Sequence, residues 1–287
     1  MMTKSNGVCA GIVLYNPDMS RVESSISAIM SQVDRLLLVD NGSDDDVVIR
    51  QLAKKNADIH IIRNDENKGI AYALNQICDY AQSHDCKWAF TLDHDTICPS
   101  GIINALLSHS NDEVTGIVCP AVFYEGLNVE TKSKTDNDVE DIKACMTSAS
   151  LTSLKAWKEV GGFNESYFID YVDNDFCMKL KLKGYSIIRV KSCFINHQLG
   201  KSRSIKMLGN YQTGTSHSPL RCYYMMRNNI LFLKEYKSHL PLLKEVVKVF
   251  YVAYHEFLFS EQRKETFSML VKGISDGIKG KRGKYEG

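Results

Sequence analysis

The stretch Trp88–Gly101, WAFTLDHDTICPSG, joins two features that conflict. Its opening, "WAFTL", is a compact apolar run of the kind a buried strand requires. It then breaks into two aspartates, Asp93 and Asp95, with one residue between them. Two carboxylates that close repel each other unless something positive stands there, either a side chain or a metal ion. Hard carboxylate oxygens suit Mg²⁺ or Mn²⁺, which bind through one or two carboxylates plus the phosphates of a substrate. Asp-x-Asp is also a common turn sequence, so the surroundings have to decide.

Toward the N-terminus the same pattern repeats. "VCAGIVLY" (8–15) reads as a buried strand that breaks at Asn16-Pro17-Asp18. Asp18 is placed to cap a helix in which Val22, Ile26, Ile29 and Val33 recur at helical spacing. "RLLLVD" is a second strand closed by the turn "NGSDDD", and "IHIIRN" a third. "NKGIAYALNQICDYAQ" opens at a glycine and repeats apolar residues at helical spacing. Strand, helix, strand, strand, helix, strand predicts an α/β sheet with largely parallel strands. Ligands of such sheets bind beyond the carboxyl ends of the strands. Those ends read Tyr15-Asn16-Pro17, Asp40-Asn41-Gly42 and Asp93-His94-Asp95, all polar.

Toward the C-terminus, "GIVCPAVFY" predicts a further strand and "EGLNVETKSKTDNDVED" a flexible loop. "LTSLKAWKEVGGF" predicts a short helix ended by Gly161-Gly162. "YFIDYVDNDFCMKLKLKGY" sets an acidic cluster before a helix that ends at Gly184, and "SIIRVKSCFINH" is a late strand ending in His197. Residues 200–218 read as a basic, mobile loop. "PLLKEVVKVFYVAYHEFLF" is helical and apolar, and the tail after it is basic and glycine-rich.

The bulk properties narrow the function classes. The chain has 287 residues, 44% of them hydrophobic, enough for one large domain or a domain with an appendage. Its nine cysteines are scattered and form no CxxC pair, which predicts a reduced, cytoplasmic protein. The N-terminal apolar stretch is too short for a secretory signal, and no uncharged apolar stretch is long enough to span a bilayer. The net charge of +1 conceals an asymmetry: residues 1–190 carry −9, residues 191–287 carry +10. A basic C-terminal part points to an anionic partner, with an ordinary solvated surface as the alternative.

Taken in order, "IVLYNP", "LLLVDNGSDD", "NKGIAYALN", "FTLDHD" and "GGFNESYFIDYVDNDFCMKLKLKGY" resemble the motif series of the family-2 inverting glycosyltransferases with the A-type fold. The resemblance covers residues 7–200. Within that family, "DYVDNDFC", "INHQLG" and "YYMMRNNI" are most like bacterial rhamnosyltransferases. It implies a Rossmann-like nucleotide-diphospho-sugar transferase fold. A catalytic domain would span 1–200, with a nucleotide and metal part at 1–120 and an acceptor and base part at 121–200. Residues 201–287 would form a basic loop and a helical extension.

The resemblance also implies roles. Asp40 would accept a hydrogen bond from a pyrimidine base, or cap the "NGS" turn, or both. Tyr15 would flank the base, with strand packing as its alternative. Asn67, Lys68 and Gly69 would lie near the nucleotide. Asp93 would approach the ribose or the metal, and Asp95 would be the main metal ligand. Asp173 is the expected catalytic base. The family pattern there reads Glu-Asp-x-Asp, whereas this chain reads Val172-Asp173-Asn174-Asp175, so Asp170 is the rival and Asp175 a structural partner. His197 would contact metal or diphosphate, or serve structure. Arg227, with Lys201, Arg203 and Lys206, would close over the diphosphate or face lipid phosphates.

The resemblance therefore implies a metal-dependent enzyme that moves a sugar, L-rhamnose from dTDP-L-rhamnose, onto a growing lipid-linked bacterial surface glycan such as an O-antigen. A UDP-hexose or UDP-galactofuranose transferase is the near alternative, and a non-catalytic nucleotide- or nucleic-acid-binding module the distant one. No RNA-binding aromatic motif is present, and the densest cluster is acidic, so nucleic acid is not expected as a partner. The C-terminal helices would lie peripherally on the anionic inner face of the plasma membrane, or form a homodimer, or be buried.

Overall fold

The computed structural model describes residues 7–45, 49, 52, 59–125, 129–130, 137–198, 202–207 and 210–287. The chain packs as two units. The first contains Met1–Phe123, Val129–Glu165 and Val172–His197; the second contains Tyr124–Asn128, Ser166–Tyr171 and Gln198–Gly287.

The first unit is built around β1 (Val8–Leu14), every residue of which is buried. A strand buried on both faces reads as an unbroken apolar run, as this one does. β1 pairs in parallel with β2 (Arg35–Asp40) on one side and with β4 (Trp88–Asp93) on the other. β3 (Ile59–Arg63) lies outside β2, also parallel. Beyond β4 the order continues through β8 (Ser150–Ser153), β5 (Thr115–Glu125), β9 (Ser186–Gln198) and β7 (Val139–Asp141), with β6 (Val129–Glu130) beside β5. β8 runs antiparallel to both β4 and β5.

The helices follow from local signals. α1 (Met19–Ile29) begins where the Asp18 carboxylate accepts the Ser20 N–H at 3.0 Å. It ends before Val33, which is buried after a short 3-10 turn at Met30–Gln32. α2 (Ile70–Ser83) buries Ala71, Ala73, Leu74, Ile77, Cys78 and Ala81, the stripe expected from the periodicity. It lies close on β1 because position 11 has no side chain: a Cβ there would sit 2.4 Å from Ile77 Cγ1. α3 (Ile102–Leu107), α4 (Leu154–Glu159) and α5 (Val172–Lys183) complete the unit.

Two expectations change here. "LTS" before α4 is strand β8, not helix, because it pairs with β4 and β5 on its two edges. The polar stretch read as a loop contains β6 and β7. Within β7 the buried Glu140 meets Arg189 of β9 at 2.7 Å, so a charged sequence forms an edge strand through a partner about fifty residues away.

In the second unit, β10 (Ser202–Met207) and β11 (Asn210–Thr215) form an antiparallel hairpin where a mobile loop was expected. Gly214 fits closely there, since a Cβ would lie 2.7 Å from the Phe259 ring. α6 (Pro219–Glu235), α7 (Leu242–Phe259) and α8 (Arg263–Lys279) follow. Much of the glycine-rich tail is thus helix. Gly273 and Gly277 stand one turn apart, and Cβ atoms there would lie 2.5 Å from Tyr223 O and 2.8 Å from Arg227 O. Each helical glycine costs about 1 kcal/mol against alanine, and here the absent side chains let two helix backbones approach. No helix among the described residues is long and apolar enough to cross a membrane.

Gly11→Ala should lower the unfolding free energy by about 1–3 kcal/mol through overpacking against Ile77, and Gly11→Ala with Ile77→Val should recover part of the loss. Urea titration of the two variants checks this; an unchanged midpoint for Gly11→Ala refutes it.

Candidate active site

The strand order reverses at β1: β2 and β3 lie to one side and β4 to the other. Such a switch point leaves a crevice outside the carboxyl ends of the strands. The register places the acids there. Leu14 pairs with Asp40, and Val13 pairs with Asp93, so the two carboxyl-bearing ends stand level on either side of β1. Two strand spacings separate them, about 10 Å.

The turns at this edge are tied together by polar side chains. Asn16, in the left-handed region at φ 45°, donates its backbone N–H to Ser43 Oγ at 2.9 Å. Its side-chain amide exchanges two hydrogen bonds with Asp44. Tyr15 beside it is 47% exposed. Asn41 reaches across to the next loop. Its amide donates to Asn67 Oδ1 at 3.2 Å and to the Gly69 carbonyl at 3.1 Å, and its Oδ1 accepts from Asn64 and from the Lys68 N–H. Gly42 adopts φ +80°, and a Cβ there would lie 2.4 Å from the Glu66 carbonyl carbon. The "NGS" turn and the Asn67–Gly69 turn are therefore one interlocked surface.

Asp40 is buried beneath that surface. Its Oδ1 accepts the Ser43 N–H at 3.0 Å, the turn-capping role. Its Oδ2 stands 3.3 Å from Arg63 Nη1, a charge pair, and makes no hydrogen bond among the described residues. Such an oxygen in a buried site asks for an explanation, and a ligand N–H is one. Lys68 extends over the Tyr72 ring, 4.8 Å from its centroid.

Asp93, His94 and Asp95 are half-buried at the end of β4. The Asp93 N–H donates to Ser148 Oγ at 3.0 Å, and Ser148 also bonds Thr96 at 2.9 Å. The preceding residue, Thr147, donates its hydroxyl to Asp173 Oδ1 at 3.3 Å, while its carbonyl accepts from Thr91 at 2.6 Å. The dipeptide Thr147-Ser148 thus touches both the acidic strand end and the expected base. The sequence reading gave neither residue a role. Asp173 lies in the first turn of α5, a favourable end of a helix for a carboxylate. Asp175 is fully buried and pairs with Lys179 at 2.9 Å, as a structural partner should.

The remaining motif, "GGF", is held by Asn75, a further residue to which no role was given. Its carbonyl oxygen accepts from Trp157 Nε1 at 3.0 Å and from the Phe163 N–H at 2.9 Å, and its amide donates to the Phe163 carbonyl. Gly162, at φ +73°, leaves room for that side chain. Near Thr147 and Asp173 the thiols of Cys145 and Cys177 are pushed far above their ordinary range, Cys145 first by a hydrogen bond with Cys119 and Cys177 first by one with Cys145, with burial adding in both. A shift in that direction favours the protonated thiol.

Other expected residues belong to the second unit or lie outside the described residues. Asp170, at φ 60°, belongs to the second unit and accepts from Arg221 at 3.2 Å. Arg227 is 1% exposed, and its guanidinium is spent on the Gly283 and Tyr167 carbonyls and on Asn228. Three of the five N–H donors of Arg227 therefore meet internal acceptors and brace the second unit. Arg203 likewise donates to the Phe259 and Ser260 carbonyls. Lys201 and the side chains of His197 and Lys206 lie outside the described residues.

The donor set can be weighed against a metal. Among the described residues no group of three or more His, Cys, Asp and Glu converges. A closed cage is thus not built from them. A Mg²⁺ or Mn²⁺ ion shared with substrate phosphates needs only one or two carboxylates, and Asp93 and Asp95 fit that requirement.

Residues 9–176, more than half of the chain, match the family described as Glycosyl transferase family 2. The chain belongs to that family. Over 297 residues, 96% of this chain and 97% of the relative, it is 27% identical to the dTDP-rhamnosyl transferase RfbF of Shigella flexneri. Among solved structures, that of GalNAc-T7 with UDP, GalNAc and Mn²⁺ has a TM-score of 0.61 at 14% identity. That likeness covers 95% of this chain, which spans 56% of the length of the other. The fold is accordingly the A-type glycosyltransferase fold with a helical C-terminal region.

Asn41→Ala should unlock the two turns and lower the unfolding free energy by about 1–3 kcal/mol, the cost of leaving buried partners unpaired. Thermal or urea denaturation measures it, and a loss below the experimental error refutes the interlock.

Proposed function

We propose that this family-2 glycosyltransferase moves L-rhamnose from dTDP-L-rhamnose, with inversion, onto a growing lipid-linked surface glycan. One observation carries the reading: the similarity to a dTDP-rhamnosyl transferase runs through nearly the whole of both chains, well past the residues that define the family. The geometry of the strand ends supports it. Tyr15 offers a face for the base, and Asp40 Oδ2 an acceptor for its ring N–H. The Asn67–Gly69 turn lines the diphosphate.

Asp173 is the proposed base. It removes the proton of the acceptor hydroxyl as that oxygen attacks the anomeric carbon and the nucleoside diphosphate leaves from the opposite face. Thr147 helps to aim that carboxylate through its hydrogen bond to Oδ1. Asp93 and Asp95, with His197 as a third candidate, would hold Mg²⁺ or Mn²⁺; the ion would neutralise charge on the leaving diphosphate. The acceptor's lipid carrier and the +10 balance of residues 191–287 favour a peripheral position at the inner face of the plasma membrane.

The test is a panel of sugar nucleotides, dTDP-L-rhamnose, UDP-hexoses and UDP-galactofuranose, with released diphosphate followed in Mn²⁺ and in EDTA. Turnover of dTDP-L-rhamnose alone, lost in EDTA, is expected; preference for a UDP-sugar refutes the donor. Asp95→Ala should weaken metal-dependent donor binding more than Asp93→Ala, measured by titration with dTDP. Donor affinity that is equal in EDTA and Mn²⁺ removes the metal from the reading.

Asp173→Asn should keep donor affinity and lower transfer by about 10² to 10⁴ at saturating donor. Thr147→Val, which loses one hydrogen bond to that carboxylate, should cost on the order of tenfold in kcat. If Asp170→Asn is the crippling variant and Asp173→Asn is nearly normal, the base is Asp170.

A further inference from the structure

Helix α7 is apolar on two sides. Its inner side packs within the second unit, where buried Val249 joins Cys222, Met226, Leu233 and Leu270 of α6 and α8, with Val252 and Ala253 against them. Its outer side carries Leu243, Val247, Phe250, Tyr251 and Tyr254, exposed by 79, 61, 69, 65 and 56%. These positions recur at intervals of three and four, so they form one stripe along the helix. The stripe continues onto α8, because Phe257 meets exposed Phe267 edge-on at 6.0 Å between ring centroids. Nothing among the described residues covers it.

The charges around the stripe identify the occupant. The lysines of α7, Lys244 and Lys248, are exposed. Its carboxylates are drawn inward: Glu245 is a quarter exposed and stands 3.8 Å from Lys248, and Glu256 is buried against His217 at 3.0 Å. At the corner with α8, exposed Glu261 and Glu265 are matched in number by Arg263 and Lys264. The polar rim of α7 is therefore cationic. A two-fold dimer would press this face against its own copy and set lysines opposite lysines. A bilayer interface instead accepts the apolar stripe and answers the lysines with anionic headgroups. Tyrosines favour the same depth, with their rings in the apolar boundary and their hydroxyls toward water.

We infer that the Leu243–Tyr254 stripe of α7 docks in the plane of an anionic lipid surface, with Lys244 and Lys248 as its electrostatic rim. This deepens the peripheral location proposed above, and it is independent of the donor. A vesicle experiment can therefore fail while rhamnosyl transfer stands, and the reverse.

The test uses the full chain and sedimentation with vesicles of phosphatidylcholine alone or mixed with phosphatidylglycerol. Binding should require phosphatidylglycerol and fall at high salt. Leu243→Ser/Val247→Ser/Phe250→Ser should abolish it while circular dichroism and transfer to a soluble acceptor stay as in the parent. Lys244→Gln/Lys248→Gln should weaken it about 30-fold. Phe250→Trp provides a reading that needs no destabilising change: its emission should shift to the blue on adding the anionic vesicles only. Equal binding to both lipid mixtures, an unshifted Phe250→Trp, or sedimentation of the triple variant like the parent overturns the inference. So does a parent dimer in light scattering that the triple variant turns into monomer, since the stripe is then a subunit interface.

Discussion

The first unit depends on β1 having parallel partners on both edges. A strand in that position must be apolar on both faces, and it must have a glycine where α2 crosses it. Parallel pairing on each side also sends β2 and β4 out at the same edge, so everything that follows those strands collects there. The acids are tolerated because they stand at strand ends, where they meet N–H donors, hydroxyls and solvent, and not within the apolar layer.

Amide side chains then convert that edge into a fixed surface. Asn41 ties two turns, Asn75 ties α2 to the Gly-Gly-Phe segment, and both spend donors and acceptor alike. The second unit uses the same device. Asn228 shares its two amide hydrogens among the carbonyls of Tyr167, Ile169 and Asp170. That clamp holds Phe168, Asp170 and Tyr171 in the left-handed region, which costs non-glycine residues energy and persists only where neighbours enforce it. The chain passes directly from this segment into the helix that carries Asp173. An asparagine suits each position because it offers donors and an acceptor in one short, uncharged plane.

The second unit shows a different balance. Its helices α6 and α8 gain close contact through glycines that weaken the helix itself, and its single buried guanidinium, Arg227, replaces water with carbonyl oxygens and the faces of Tyr223 and Tyr224. α7 has an inner seam that satisfies the core and an outer stripe that does not. A helix with apolar residues on both sides has more hydrophobic surface than its own unit buries, which is why its outer face is the part of the molecule that asks for a partner.

The sequence by itself determined what local chemistry determines. The apolar runs, the cap at Asp18, the glycine before α2 and the polar strand ends were all legible, because each is a pattern within a few residues. From those, the parallel half of the sheet and the acidic crevice follow. Only the tertiary structure decided which distant groups meet. Thr147 reaches Asp173 across 26 residues, and Asn75 reaches Phe163 across 88. The strand at Val139–Asp141 and the hairpin at 202–215 have no apolar alternation to announce them, and they exist through pairing partners. Arg227 is charged, and a charged residue defaults to the surface. It is buried where the chain brings the Tyr167 and Gly283 carbonyls to it, and no periodicity within α6 encodes where those two carbonyls come from.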